Sequence, residues 1–499
     1  MTEGLNVIAN AMGIFAGIFL ALILLGLLCI LFMYIIDRSQ TKHAIRHNYP
    51  VVGRFRYMFE HLGGFFRQYF FALDREEMPF NRAERSWAYR AAKNLDTTVA
   101  FGSTRNLNIP GTVLFTNSSY PTLEEEATTP QAVIIGEGCR IPYCATSFYN
   151  ISGMSFGAIS KPAVLALSKG ARMAGCWMNT GEGGLSPYHL EGGADLVFQI
   201  GTAKYGVRTP DGKLNEDKLR ELALNDRIKM FEIKMSQGAK PGKGGILPAV
   251  KVTPEVANIR GIAIAQDSIS PNRHVEVDGP ESLVDLINRI REITGKPVGI
   301  KAVLSSAQEL DEFFTVIAKR GIACAPDFIA LDSADGGSGA APQSLIDYMG
   351  LPLKESLPML VDKLQEYHLR ERVKVVAAGK LITPSGVAWA LSIGADFVTS
   401  ARGFMFALGC IQAMQCNKNT CPTGITTHDK RLQRGLDPMD KSERVKHYAL
   451  NMMHEVEMIA HSCGVKEPRL LRRCHARIVG DNGLSIPLNK LYPEVKTIN

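Results

Sequence analysis

SFYNISGMSFGAISKPAVLALSKGARMAGCWMNTGEGG, residues 147–184, decides how this chain is read. An apolar strand-like stretch (SFYNISGMSFG) gives way to a helix-like run (KPAVLALSKGARMAG), and a second strand-like stretch (CWMNTGEGG) follows. Strand, crossover helix and strand make the repeating unit of a parallel sheet. The rhythm continues through LVFQIGTAKYG (196–206), MFEIKMSQGAK (230–240), PVGIKAV (297–303), FIALDSADGG (328–337), VKVVAAGK (373–380) and FVTSARG (397–403). Helix-like runs lie between them, including GPESLVDLINRIREITG, SAQELDEFFTVIAKRG and TPSGVAWALSIG. Eight strands, mostly followed by helices, in roughly 260 residues predict an α/β (β/α)8 TIM barrel. A doubly wound open sheet is the competing architecture. No G-x-G-x-x-G follows the first strand, which weakens it.

In such a barrel the chemistry sits where the strands end. Those ends carry Met154 and Ser155, Asn179 and Glu182, Lys234 and Gln237, Lys301, Asp332 and Asp335. Glycines cluster just beyond: Gly181, Gly183 and Gly184, then Gly336, Gly337 and Gly339, then Gly379. Glycine lets backbone N–H groups approach a ligand and form anion-binding concavities. Barrels often hold phosphate on the loops after strands seven and eight, which here carry Gly379-Lys380 and Ala401-Arg402-Gly403. The joint placement predicts a phosphate-bearing ligand.

Downstream, GCIQAMQCNKNTCPTG holds Cys410, Cys416 and Cys421 in C-x5-C-x4-C spacing, with Pro422 after the last. Three clustered thiols before a proline read as an iron–sulfur site. The alternatives are buried free cysteines, or zinc, which normally wants four ligands at a repeated short spacing. Cys463 or Cys474 could supply a fourth ligand. A long helix is predicted after the loop, capped by Asp437, with Pro438 in its first turn and Gly464 at its end. His447, His454 and His461 recur on one of its faces and read as solvated or hydrogen-bonded rather than as a metal site.

The N-terminal third differs in kind. Val7–Ile36 (VIANAMGIFAGIFLALILLGLLCILFMYII) holds no charged side chain. About 20 apolar residues span a bilayer as a helix. With no basic region before it and Arg38, Lys42, Arg46, Arg54 and Arg56 after it, the segment reads as an uncleaved anchor. The N-terminus is then outside and the remainder cytoplasmic. Val51–Phe71 mixes Phe, Tyr and Arg, and fits either the membrane interface or a packed amphipathic segment. NRAERSWAYRAAK (81–93) reads as a helix, and TVLFTN and AVIIG as short strands, in a lead-in that covers the bottom or side of the barrel. The organisation expected is an anchor (1–40), a juxtamembrane and lead-in region (41–146), a barrel domain (147–465) with a cysteine loop (409–425), and a C-terminal extension (466–499). Composition is that of a globular protein with a large core, 46% hydrophobic and 21% charged. A net charge of +7 without a basic-aromatic module gives no sign of nucleic-acid binding. Ten cysteines in 499 residues do not make a disulfide scaffold.

The motifs SGMSFGAIS (152–160), MNTGEGG (178–184), KMSQGAKPGKGG (234–245), SADGGSGA (333–340) and GCIQAMQCNKNTCPTGI (409–425) together resemble the FMN-binding synthase domain of the glutamate synthase family. The resemblance covers about two thirds of the chain, from Phe148 to Val465. The apolar N-terminus resembles a membrane-anchored, stand-alone branch. The resemblance implies FMN, with Ser155, Asn179, Lys301, Gly336, Gly337, Gly379 and Arg402 around it. It implies a [3Fe–4S] cluster on Cys410, Cys416 and Cys421. It places Glu182, Lys240 and Arg260 against a 2-oxo acid and the iminium formed with ammonia, and makes the chemistry the reduction of 2-iminoglutarate to L-glutamate. An electron donor outside this chain is implied, and a homo-oligomer is compatible. A membrane helix stands where the full-length enzymes carry a glutaminase domain, so no glutamine hydrolysis is expected. Lys243 and Ile246 stand where those enzymes carry glutamate and glutamine, beside the implied substrate. The alternative readings are flavin-dependent electron exchange with a quinone or redox partner using another amino or oxo acid, and a non-catalytic membrane redox or interaction protein.

Overall fold

Every one of the eight strand-like stretches forms a strand, in the predicted order. In this computed structural model β1 (Tyr149–Ile151), β2 (Met178–Asn179), β3 (Leu196–Ile200), β4 (Ile228–Lys234), β5 (Val298–Ala302), β6 (Phe328–Asp332), β7 (Lys374–Ala378) and β8 (Phe397–Ser400) close into a parallel barrel. β8 completes it on β1, with Val398 opposite Tyr149 and Ser400 opposite Ile151. β3 and β6 are buried along their whole length, as strands covered on both faces must be. Residues 2–493 and 495 are described, and they fall into two units, 1–83 and 84–499. The end of the predicted 466–499 extension therefore lies partly outside the described residues.

Local chemistry sets the barrel's helices. Ser160 Oγ accepts from Ala163 N at the start of Lys161–Ala174, and Gly175 ends that helix in the left-handed region at φ 70°. Asp437 caps Pro438–Ser462 by accepting from Met439 N, and Gly464, at φ 78°, follows its end. These two helices pack together at Gly170, where a Cβ would lie 2.8 Å from Ser442 O and also strike Val445. Tyr448 of the long helix shares a 2.9 Å hydroxyl contact with Tyr149 of β1, and the Tyr149 ring stacks on Phe404.

The bottom of the barrel is closed by the lead-in. Val133–Ile135 and Tyr143–Ala145 pair antiparallel, and Ile135, Tyr143 and Ala145 join Trp177, Val197, Met230, Phe328 and Phe397 in one buried cluster. Val113–Phe115 pairs with Ala476–Val479, which pairs with Ser485–Pro487. The lead-in and the C-terminal extension thus share a sheet.

In the first unit the helix Thr2–Ser39 contains an apolar stretch, Asn10–Ser39, with mean hydropathy 3.1 and its most apolar window wholly exposed. Length and composition make it a candidate membrane span. Asp37 near its end accepts from Val51 N at 2.9 Å and from Arg54 Nε and Nη2 at 2.8 and 2.9 Å. The helix Gly53–Phe66 then runs into a π-helical turn, Arg67–Phe71.

Candidate functional site

The loops after β1 and β2 lie backbone to backbone at the C-terminal mouth of the barrel. Gly181 (φ 66°) permits this: a Cβ there would sit 2.8 Å from the Met154 carbonyl carbon. Gly181 N donates to Asn179 Oδ1, which sets the turn that presents Glu182. Lys234, at the end of β4, pairs with Glu182 at 3.0 Å. Burial by itself would raise the Glu182 pKa, but Lys234, helped by Lys240 and Arg260, holds it below the ordinary carboxyl value. Glu182 is therefore an anion at neutral pH, facing three cations.

Arg260 is the last residue of the helix Pro254–Arg260, which Thr253 caps. Its Nη1 donates to Ser268 Oγ at 3.1 Å and its Nη2 reaches Ser155 Oγ at 3.5 Å. The guanidinium lies 4.9 Å from the Tyr205 ring centre, and Ser268 Oγ donates to Tyr205 OH at 2.7 Å. Its buried Nε has no acceptor among the described residues. A buried guanidinium with donor capacity to spare suits an anionic ligand. Lys240 Nζ donates to Ala340 O at 3.0 Å and so holds the glycine loop after β6. Burial lowers the Lys240 pKa to about 8, against the pull of Glu182.

The same loop is pinned twice more. Gln237 Nε2 donates to Gly337 O at 3.1 Å, and Arg402 donates to Asp335 O. Gly336 packs so closely that a Cβ would lie 3.0 Å from the Gly238 Cα and closer still to Asp332. At Gly379 a side chain would strike Ser333. Inside the barrel, Lys301 pairs with Asp332 at 3.5 Å. Burial opposes its charge, but Asp332 and Glu232 outweigh burial and raise its pKa. Glu232 accepts from Asn179 at 2.9 Å and from Gln199 at 2.6 Å. Glu182, Lys234 and Gln237 form one polar group here, Asn179, Glu232 and Gln199 a second, Lys301 and Asp332 a third, and Arg260 with Ser155 and Ser268 a fourth.

The cysteine loop begins where the helix Arg402–Leu408 ends, with Cys410 N bonded to Met405 O. Gln412, Met414 and Asn419 all take positive φ, winding the backbone around the thiols. Gln412 N donates to Cys410 Sγ at 3.4 Å. Burial pushes the Cys410 thiol up to about 12 and raises Cys416. Burial would also raise Cys421, but bonds from Thr423 and Thr426 leave it below the ordinary thiol value. The three thiols feel one another's charge. Among the described residues no three His, Cys, Asp or Glu converge on one metal ion.

Three contacts tie this loop to the loop after β1. Lys251 Nζ donates to Ala158 O at 2.5 Å and to Cys416 O at 3.1 Å. His428 Nε2 sits 2.9 Å from Gly157 O, and Ser160 N donates to Ile425 O at 2.8 Å. Lys251 is fully buried, and burial lowers its pKa to about 8 although Cys416 and Cys421 oppose the shift.

Tyr205, Ser268, Lys251, Gln199 and Glu232 were not singled out from the sequence. Gln199 and Glu232 carried a signal: Gln199 is the lone polar residue of LVFQI, and Glu232 is the lone carboxylate of IKMFEIK, flanked by Phe231 and Ile233.

A family model described as a conserved region in glutamate synthase matches residues 115–466. The glutamate synthase large subunit-like protein YerD of Bacillus subtilis (strain 168) is 38% identical over 498 residues, covering 92% of this chain and 94% of its own. The archaeal-type glutamate synthase (NADPH) of Thermotoga maritima is 33% identical over 325 residues, 64% of this chain and 60% of its own. The archaeal glutamate synthase (NADPH) of Methanocaldococcus jannaschii is 33% identical over 335 residues, 66% of this chain and 61% of its own.

Proposed function

We propose, from the premise that the chain belongs to the glutamate synthase family and is an oxidoreductase acting on CH–NH2 groups, that it makes L-glutamate by reducing the imine of 2-oxoglutarate and ammonia. The observation that carries this reading is the meeting of anionic Glu182, Lys234 and the donor-rich Arg260 at the ends of the barrel strands.

The residues fit the groups the family implies. Gly336, Gly337 and Gly379 pack against Gly238, Arg402 and Ser333, which fixes the loops after β6 and β7 on which FMN would rest. Ser155, Asn179, Lys301 and Arg402 would complete the FMN site. The buried Lys301 cation favours an electron-rich ring, and Arg402 offers charge to a phosphate. Cys410, Cys416 and Cys421 would hold a [3Fe–4S] cluster. When bound, FMN supplies hydride and the cluster supplies electrons one at a time.

The chain's own residues do the rest. Arg260 binds one substrate carboxylate by paired N–H donors, with Tyr205 and Ser268 fixing the plane of its guanidinium. Lys240 adds positive charge while holding the Ala340 loop. The Glu182 carboxylate accepts from the iminium nitrogen, favouring the cationic, more easily reduced form. Asn10–Ser39 anchors the protein in a membrane, with residues 41–499 cytoplasmic. A redox partner outside this chain provides electrons.

The test is anaerobic. Protein purified in mild detergent is reduced chemically, and flavin absorbance near 450 nm is followed after adding 2-oxoglutarate with ammonia. Rapid reoxidation with glutamate formed in equal amount is expected. A reducible flavin indifferent to that pair removes this substrate.

A further inference from the structure

We infer that the helix Gly53–Phe66 and the π turn Arg67–Phe71 form a second membrane contact, lying along the headgroup–acyl boundary rather than crossing it. The inference rests on reading Asn10–Ser39 as a membrane span.

The first observation is an uncovered stripe. Met58, Phe59, Phe66, Tyr69 and Phe70 lie 3, 4, 11, 14 and 15 residues beyond Phe55, which at 3.6 residues per turn keeps all six on one face, within an arc of about 120°. Their exposure runs from 42% for Met58 to 74% for Phe70. An aromatic stripe of this length is more than a soluble surface ordinarily leaves in water. Helices that lie in the interface carry this pattern, apolar and aromatic on one face and charged on the other.

The second observation is charge. From residue 38 to 71 there are six Arg or Lys and a single carboxylate, Glu60. Asp37 is spent on Arg54 and Val51 N. Helical spacing puts Arg56 and Arg67 on the flank of the stripe, from where they can extend to lipid phosphates while the rings sit in the acyl region. An anionic bilayer surface is the partner whose chemistry matches both features.

The third observation is position. The three bonds to Asp37 fix the start of this helix at the end of the apolar helix, where charge-free sequence gives way to basic sequence. Such a change marks the membrane surface. The intervening segment folds onto the other side of the helix: the Arg46 guanidinium lies 4.6 Å from the Tyr57 ring centre, and the His43 ring is 5.1 Å from it. The stripe therefore stays uncovered by its own unit.

The experiment uses the full chain in phosphatidylglycerol-containing vesicles, with Phe70→Trp and, separately, Phe59→Trp. Each added emission is compared with the unsubstituted chain. Lipids brominated on the acyl chain should quench most of the added emission at both positions, and aqueous acrylamide should quench little. Strong acrylamide quenching without bromolipid quenching would put the stripe in water and overturn the inference, leaving the span intact. Shielding from both quenchers would mean that protein covers the stripe, and would overturn it equally. Failure of the protein to float with vesicles would remove the span and this contact together.

Discussion

Lys251 stands out at the residue scale because its ammonium is fully buried and placed against two carbonyl oxygens, Ala158 O and Cys416 O. One belongs to the loop beside the proposed flavin, the other to the thiol loop. A fixed positive charge there stabilises the reduced, more negative state of a nearby cluster. Lys251→Met should lower the cluster's reduction potential by on the order of 60 mV, tenfold in a one-electron equilibrium, and Lys251→Arg should restore most of it. An EPR-monitored redox titration reads this directly, and an unchanged potential on an intact cluster reduces Lys251 to a tether. Sequence reading reached Glu182, Asn179 and Lys301 because strand ends in a barrel are preset places for chemistry. It passed over Lys251 and Ser268. They lie in the long connection between β4 and β5, which folds back through the small pair Ile246–Leu247 and Ser268–Ile269. Two-residue strands are too short to leave a periodic signal.

At the element scale the seam between Lys161–Ala174 and Pro438–Ser462 holds the thiol-loop side of the barrel. Gly170 is where the helices come closest, with no room for a Cβ beside Ser442 O. Gly170→Ala should cost about 1–3 kcal/mol despite its gain in helix propensity. A fall in thermal midpoint with the cofactor spectra unchanged would show this, and a rise would mean that the seam can give. The caps of both helices could be read in advance, since Asp437 and the glycine stops are local chemistry. The intimacy of the seam could not. A glycine inside a helical pattern looks like a weakness until the residue opposite it, Val445, is known.

Across the whole molecule, the proposed anchor, an apolar helix followed by basic residues, carries an orientation that can be tested. A fluorescent protein fused to the C-terminus should fold and glow in cells, while a tag before residue 2 should be digested by protease added outside. The reverse pattern would place the barrel across the membrane from where we set it. The barrel itself was countable from its eight strands. The sheet joining Val113–Phe115 to the local pair Ala476–Val479 and Ser485–Pro487 was not: strands of three or four residues carry little pairing information, and the partner of Val113–Phe115 lies more than 350 residues away.

The closing of β8 on β1 has a consequence for how the protein is made. Tyr149 leaves the ribosome about 250 residues before Val398, its partner across the closure. At about 5–20 residues per second, β1 waits for tens of seconds with one edge unpaired. Throughout that interval the nascent chain carries an open, apolar sheet. Shielding by a chaperone, rather than the stability of the finished barrel, would then set the yield of this protein in a cell.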